Sequence, residues 1–410
     1  MGIGPAAYCG LALPLRRMSD LTELHDLLSG APLVDGHNDL LWEMRTKAAY
    51  DFGRLDISGS VPSVHTDLPR LRAGGVGAQF WSVYVPSDLP GDKAVTATLE
   101  QLDGLHQMVR RYPEDFELAL TADDVDRIAA EGRIASLAGM EGGQSIGASL
   151  GALRMLYALG ARYMTLTHNH NNPWADSATD EPEHGGLTGF GEEVVREMNR
   201  LGMLVDLSHV APTTMHAALR VAEAPVIFSH SSARALCDHP RNVPDDVLVQ
   251  LPENGGVCMV TFVPGFISQE IADAWKADHD EERRLQGEHP DTPDEVESLM
   301  EKRRADHSFA AVTVAQVADH VDHVRDVAGI ASVGIGGDYD GVPFMPEGLQ
   351  DVSTYPALFA ELRTRGYSDD ELRRIAGRNV LRALRRAEHV AHDLQSERSP
   401  SLMRITDPPG

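Results

Sequence analysis

The length and composition of the chain limit the classes of protein to which it can belong. Its 410 residues, 42% hydrophobic and 24% charged, suffice for one α/β barrel or for two domains of average size. The net charge of -26, from 36 lysines and arginines against 62 aspartates and glutamates, disfavours nucleic acid and anionic membrane surfaces as partners. We therefore expect an acidic, soluble protein that binds neither nucleic acid nor membrane.

The two ends of the chain are not expected to carry a targeting signal. Residues 1–17 contain an apolar stretch, but its arginines follow rather than precede it, the reverse of a secretory signal. We predict a disordered extension over residues 1–18, one catalytic domain over 19–395 and a flexible tail over 396–410. The tail is polar and does not resemble a lipid-anchor signal, so a cytoplasmic location is expected.

The predicted secondary structure alternates between strand and helix along the chain. Apolar, strand-like runs cover residues 33–38, 76–85, 134–141, 162–168, 202–208, 225–230, 256–262 and 332–338. Helical patterns lie between them, at 95–112, 121–132, 149–160, 189–202, 211–222, 244–251 and 313–329. This alternation predicts a parallel sheet, and eight units predict a (β/α)8 TIM barrel, with a doubly wound sheet as the alternative.

Two segments extend the predicted barrel. Helical patterns at 355–366 and 368–394 follow the last strand and predict extra C-terminal helices. The highly charged stretch 269–307 interrupts the seventh unit and is predicted to be a helical insertion. It is either a solvated addition or a lid over the mouth of the barrel.

Five of the predicted strands end in side chains that can bind a metal. These side chains are His37 and Asp39 in VDGHND, Glu141 in MEGG, His209 in LVDLSH, His230 in VIFSH and Asp338 in GIGGDYD. Each is a weak signal alone, but imidazole nitrogens and carboxylate oxygens together suit zinc. Because the carboxyl ends of the strands meet at one mouth of a barrel, we expect one metal site there.

Other polar residues near the strand ends are less decisive. Arg241 follows the sixth strand, where its guanidinium could bind a terminal carboxylate through two hydrogen bonds. His168 ends the fourth strand, and His170 is an equal candidate by spacing. Asp340 would point the same way as Asp338 if the eighth strand continued. Asp176 is expected to be either a loop cap or a group that supports the ligands. No chemistry is assigned to His106, His216, His320 and His389, expected to be solvated, or to Cys9, Cys237 and Cys258, expected to be free thiols.

Several motifs together carry a resemblance to a known family. They are VDGHNDL, EGG, YMTLTHNHNNPWADS, GMLVDLSHV, APVIFSHSSA, RNVPDD and GIGGDYDGVP. With these motifs the chain resembles, over about residues 20–385, the renal (membrane) dipeptidase family of zinc peptidases in the amidohydrolase superfamily. The resemblance implies two Zn²⁺ per subunit, one held by His37 and Asp39, the other by His209 and His230, with Glu141 bridging both.

The resemblance also implies roles for three further residues. Asp338 would complete the metal site and shuttle protons, His168 would contact the substrate, and Arg241 would bind the substrate's carboxylate. The chain departs from the secreted members, since the partner expected for a disulfide at Cys237 is absent from FISQ. The insertion at 269–307 also departs from the mammalian pattern, which leaves the substrate range open.

The resulting hypothesis is a binuclear zinc dipeptidase that hydrolyses dipeptides, including those with a C-terminal D-residue, by a metal-bridging hydroxide. A homodimer is compatible with the sequence. The alternatives are another amidohydrolase, such as a deaminase or lactonase, and a non-catalytic metal-dependent binding protein. HxD in place of HxH on the first strand and the absence of lysine at the end of the fourth strand disfavour the former.

Overall fold

The computed structural model describes residues 26–27, 31–289, 292–305 and 309–406. Within them, parallel strands β1 to β9 are, in chain order, Leu33–Asn38, Val76–Tyr84, Phe116–Leu118, Ile134–Glu141, Ala161–Thr165, Leu204–Asp206, Val226–Phe228, Val257–Val260 and Val333–Ile335. All eight predicted strands are confirmed, although several are shorter than predicted. The additional strand β3 was missed because three residues are too few to show a period of two.

Eight of these strands close into a barrel. The hydrogen-bonded order runs β2, β1, β9, β8, β7, β6, β5, β4, and a further pairing between β2 and β4 joins the two ends. That closing pairing is in continuous register from Ala78 opposite Ala135 to Tyr84 opposite Glu141. Strand β3 pairs only with the first residues of β4. The predicted (β/α)8 barrel is confirmed, and the open doubly wound sheet is excluded by the closing pair.

The helices surround this barrel. In the described part of the chain, helices α1 to α16 are Leu40–Ala48, Leu68–Ala73, Gly91–Arg111, Ala122–Ala130, Leu150–Ala158, Gly189–Leu201, Pro212–Val221, Asp245–Leu248, Leu251–Asn254, Pro264–Ile267, Gln269–Glu288, Pro293–Ala305, Val314–Ala328, Tyr355–Thr364, Asp369–Arg373 and Asn379–Glu397. Polar caps start several of them: Thr121 and Thr188, for example, each accept a backbone hydrogen bond from the first turn. The predicted helix at 244–251 is divided into α8 and α9, and Pro252 lies in the first turn of α9.

The C-terminal helices complete the core. Val380, Leu384 and Ala387 of α16 belong to the same buried cluster as residues of the barrel strands, such as Leu204 and Ile227. This helix therefore adds apolar contacts to the barrel and helps to hold its shape. Among the described helices, none has both the length and the apolar character that crossing a membrane requires.

The insertion is helical, as predicted, and consists of α11 and α12. The two helices share a small apolar cluster of their own, formed by Leu285, Val296 and Met300. Its first helix reaches the cleft described below.

The expectation that His320 is solvated was wrong. His320 on α13 is buried, accepts a hydrogen bond at Nδ1 from the backbone N–H of Ala233 and bonds through Nε2 to the carbonyl of Ile267. It thereby satisfies two backbone groups, which helical periodicity cannot reveal. Cys237 and Cys258 are free and buried, as expected. Cys9 and the extension 1–18 lie outside the described residues, and the division into domain and tail stays a prediction.

Candidate metal centre

A wide cleft of about 1450 Å³ opens at the carboxyl ends of the barrel strands. Three overlapping groups of side chains at its base bring possible ligand atoms within 4.8 Å of one another. The groups are His37 with Asp39 and Asp338, His37 with Glu141 and His230, and Glu141 with His168 and His209. All six side chains that the sequence suggested as ligands, from five different strands, are therefore gathered in one place, together with His168.

Glu141 lies at the centre of this cluster. Its Oε2 is 3.4 Å from Nε2 of His37, while its Oε1 is 3.0 Å from Nε2 of His209 and 3.6 Å from Nε2 of His230. Ser82 on β2 donates a hydrogen bond of 2.9 Å to Oε2 and so orients the carboxylate. The two oxygens of one carboxylate thus face different possible ligands, in two sets that adjoin at His37 and His230.

The set on the Oε2 side contains two further carboxylates. Nε2 of His37 is 3.4 Å from Oδ2 of Asp39 and 3.9 Å from Oδ1 of Asp338. Burial raises the pKa of Asp338 well above its usual range, and the nearby carboxylates of Asp39 and Glu141 act in the same direction. Buried carboxylates this close together repel one another unless one is protonated or a cation lies between them.

Hydrogen bonds within the barrel fix which nitrogen of His37 is free. The Tyr163 hydroxyl lies 2.8 Å from Nδ1 of His37 and donates its own proton to the carbonyl of Gly36 at 3.1 Å. With that proton donated to Gly36, the hydroxyl accepts from Nδ1, and in neutral His37 the unprotonated nitrogen is then Nε2. Nε2 is buried and has no hydrogen-bond partner among the described atoms, which is costly unless a cation lies there.

A similar arrangement orients His230. The Ser229 hydroxyl donates to Oδ2 of Asp206 at 2.6 Å and lies 2.8 Å from Nδ1 of His230. Nδ1 of His230 therefore carries the proton, and its Nε2 points at Nε2 of His209, only 2.9 Å away. Fully buried Asp206 also accepts hydrogen bonds from the hydroxyl of Thr165 and from backbone amides, so that it ties β5, β6 and β7 together below the ligands.

The donor set fits zinc. It combines unprotonated imidazole nitrogens with carboxylate oxygens, which are the ligands that Zn²⁺ takes in catalytic sites. His37 contributes an orphaned buried nitrogen, and Glu141 can face two ions at once. The chemistry of the residues present is therefore that of a centre for divalent metal.

The backbone at the cleft is strained in a way that suits a functional site. His209, Asp338 and Asp340 have positive φ angles of 68°, 61° and 67°. Left-handed backbone at a residue other than glycine costs about 1–3 kcal/mol and persists only where the surroundings impose it. It lets the chain turn just after β6 and β9, so that His209 and Asp338 project into the mouth.

Arg241 lies beside the metal-ligand cluster. Its guanidinium is buried, donates to the carbonyl of His230 at 3.3 Å and to the hydroxyl of Ser231 at 3.4 Å, and lies 5.1 Å from the centroid of the Phe266 ring. Burial lowers its pKa to about 10, while the carboxylates of Asp338 and Glu141 oppose that shift. It remains a cation at neutral pH, ready to bind an anionic group.

The structure separates the two candidate histidines of the fourth predicted strand. Nε2 of His168 is 3.7 Å from Oε1 of Glu141, and its ring lies against Tyr84 and His209. His170 also lines the cleft, but its Nδ1 is bonded to the hydroxyl of Ser87, and it belongs to none of the three groups. His168 is thus the histidine beside the metal-ligand cluster.

Sequence reasoning missed the residues that orient the ligands. Ser82, Tyr163, Asp206 and Ser229 lie within or next to apolar strands, and only Asp206, an acidic residue inside LVDLSH, carries a signal that could have found it. Asp176 does cap a loop, as expected, since its carboxylate accepts the amides of Glu183, His184 and Gly186.

A closed (β/α)8 barrel with histidines and carboxylates converging at its mouth has the architecture of a metal-dependent hydrolase. The sequence model of the membrane dipeptidase family (peptidase family M19) matches residues 21–398, and the chain therefore belongs to that family. It is accordingly a metallopeptidase that hydrolyses peptide bonds, and the alternative of a non-catalytic binding protein falls away.

Relatives and solved structures agree with this assignment. The chain is 41% identical to dipeptidase verJ of Clonostachys rogersoniana, covering 94% of this chain and 92% of that protein. It is 42% identical to an uncharacterized dipeptidase of Schizosaccharomyces pombe, covering 90% and 84%. A metallopeptidase from Rhodobacter sphaeroides, liganded with a phosphinate mimic of the dipeptide L-Ala-D-Ala, is 26% identical with a TM-score of 0.72, covering 87% and 99%.

Proposed function

We propose that this protein is a binuclear zinc dipeptidase whose substrates include dipeptides with a C-terminal D-residue. The observation that carries the proposal is the position of Glu141: its Oε2 faces His37, its Oε1 faces His209 and His230, and the carboxylate thus lies between two adjoining sets of possible ligands. The solved relative that is liganded with a mimic of L-Ala-D-Ala supports the extension to D-residues.

The residues divide between the two ions in a simple way. His37 and Asp39 would hold one ion, His209 and His230 the other, and Glu141 would bridge both. Bound zinc would lower the pKa of a coordinated water and polarise the carbonyl of the scissile bond. Tyr163 and Ser229 would keep the protons of His37 and His230 on Nδ1, which would leave Nε2 of each to hold an ion.

Three side chains act on the substrate in this proposal. Asp338 accepts the proton of the attacking water and returns it to the leaving amine. His168 stabilises the negative charge that develops on the carbonyl oxygen, a contribution of about 3–4 kcal/mol for comparable donors. Arg241 binds the C-terminal carboxylate, and longer peptides fail because their carboxylate does not reach it.

Metal removal tests the two-ion centre. Dialysis against a chelator should abolish turnover of L-Ala-L-Ala, because the nucleophile in this proposal is a water that the metal activates. Adding zinc should restore activity in proportion to bound metal, up to two ions per chain. Metal content and rate are measured on the same samples; full activity in metal-free protein, or full recovery with one ion per chain, would contradict the proposal.

Arg241→Ala tests the recognition of the carboxylate. KM for a dipeptide should rise about 10–100-fold, the value of a charge-assisted hydrogen bond, while kcat changes little. The matched control is Arg234→Ala in the same loop, since Arg234 pairs with Asp238 and is not among the residues that line the cleft. An unchanged KM in Arg241→Ala would refute this role.

A further inference from the structure

The insertion contributes one wall of the cleft. The residues of α11 that line the cavity are Ala272, Asp273, Trp275, Lys276, His279 and Arg283. They extend along most of the helix, from its first turn to Arg283, and border the cavity. The insertion is therefore part of the substrate cleft and not solely a solvated addition.

Trp275 is one of the residues through which α11 packs on the barrel, together with the buried residues Ile271 and Ala272. Its ring covers Gly265, where a Cβ atom would lie 2.3 Å from the ring and could not be accommodated. Its centroid is 6.5 Å from that of Phe266 and 6.3 Å from that of Phe344, with both pairs edge to face. Trp275 thus extends the apolar surface of Phe266 along the cleft.

This aromatic surface adjoins the group that is proposed to bind the substrate's carboxylate. The ring of Phe266 lies beneath the Arg241 guanidinium, 5.1 Å from its centroid. The side chain of an amino acid leaves the same α-carbon as its carboxylate, so a carboxylate at Arg241 brings that side chain close to Phe266 and Trp275. The cleft of about 1450 Å³ exceeds the roughly 300–1,000 Å³ of ordinary small-molecule pockets and leaves room for a large side chain.

We propose that Trp275 determines specificity by forming, with Phe266, an aromatic surface that packs against a large apolar side chain on the C-terminal residue of the dipeptide. The inference rests on the proposed binding of the carboxylate by Arg241. The insertion would then select substrates by the side chain of their C-terminal residue.

The test compares kcat/KM for L-Ala-Phe, with both L- and D-Phe, against L-Ala-Gly, which lacks the side chain in question. The wild-type enzyme should prefer the Phe dipeptide by about tenfold or more, the discrimination that an apolar pocket supports. Trp275→Ala should remove most of that preference and leave Ala-Gly turnover unchanged. Trp275→Phe should keep most of it, and so should Leu299→Ala, a truncation of an exposed apolar residue on α12.

Ala-Gly turnover serves as the internal measure of folding and of the proposed function. If Trp275→Ala loses it, Trp275→Gln, which keeps more of the side-chain volume, takes its place in the comparison. An unchanged Phe-to-Gly ratio in a variant that still hydrolyses Ala-Gly would overturn the inference and leave the proposed function intact. If Arg241→Ala hydrolyses Ala-Gly as well as the wild-type enzyme does, the proposed binding of the substrate's carboxylate by Arg241 is wrong instead.

Discussion

Replacing Asp338 with asparagine is expected to lower kcat by about 10²–10⁴-fold, the usual contribution of a positioned proton-transfer group, and to change KM little. Asparagine keeps the shape of the side chain and one oxygen that faces His37, but it cannot accept the proton of the attacking water. Oδ1 of Asp338 lies 3.9 Å from Nε2 of His37 and the residue is only 8% exposed, so bulk water reaches this position poorly.

The matched control for this prediction is Asp340→Asn. Asp340 is equally buried, shares the left-handed backbone and belongs to the same loop, but its carboxylate accepts the backbone N–H of His65 and is in none of the three metal-ligand groups. Its kcat should stay within a few-fold of the wild-type value. Single-turnover and steady-state rates are measured at equal zinc content. A kcat of Asp338→Asn near that of the control would show that Asp338 does not transfer the proton.

Replacing Glu141 with glutamine is expected to reduce both metal binding and turnover, each by more than about 100-fold. Loss of a residue that only supports a ligand typically costs 10–100-fold in metal affinity, so loss of the charge that we propose bridges the two ions should cost more. Because Oε1 and Oε2 face different donor sets, the affinity for both ions should fall together. Zinc affinity is measured by competition with a chromophoric chelator, and kcat/KM at saturating zinc.

Glu43→Gln provides the control for this second variant. Glu43 lines the same cleft, but it pairs with Lys47 on α1 and belongs to none of the metal-ligand groups. Its zinc affinity should equal that of the wild-type protein. If Glu141→Gln lowers the affinity for one ion only, the bridge between two ions is wrong although a mononuclear centre would survive.

Much of the fold could be predicted because its signals are local. Each barrel strand is an apolar run followed by a turn, and each of the larger helices shows its own period. Strand β3 was not predicted because it is short. His320 was wrongly predicted to be solvated because its hydrogen bonds to Ala233 and Ile267 join residues far apart in the chain. The orientation of the insertion was left open for the same reason: a charged helix has the same sequence pattern whether it faces solvent or a cleft.

The candidate site was predictable to a similar extent. Side chains at the carboxyl ends of the strands must lie close together if the strands form a parallel barrel. In the structure the predicted residues form groups whose possible ligand atoms lie within 4.8 Å of one another. Their roles as metal ligands stay a prediction. The choice between His168 and His170 was not possible from their spacing, because both follow the same strand. The geometry of the folded chain places only His168 beside Glu141.

The sequence by itself determined the barrel, the end of it that carries the chemistry and the residue types available there, since all three follow from patterns within single strands. Only the tertiary structure decided which nitrogen of His37 and of His230 faces the cluster, which oxygen of Glu141 faces which side chains and which helix lines the cleft. Those properties depend on contacts such as Tyr163 with His37, which are 126 residues apart. Pairing over such distances is set by closure of the barrel, and no local pattern encodes it.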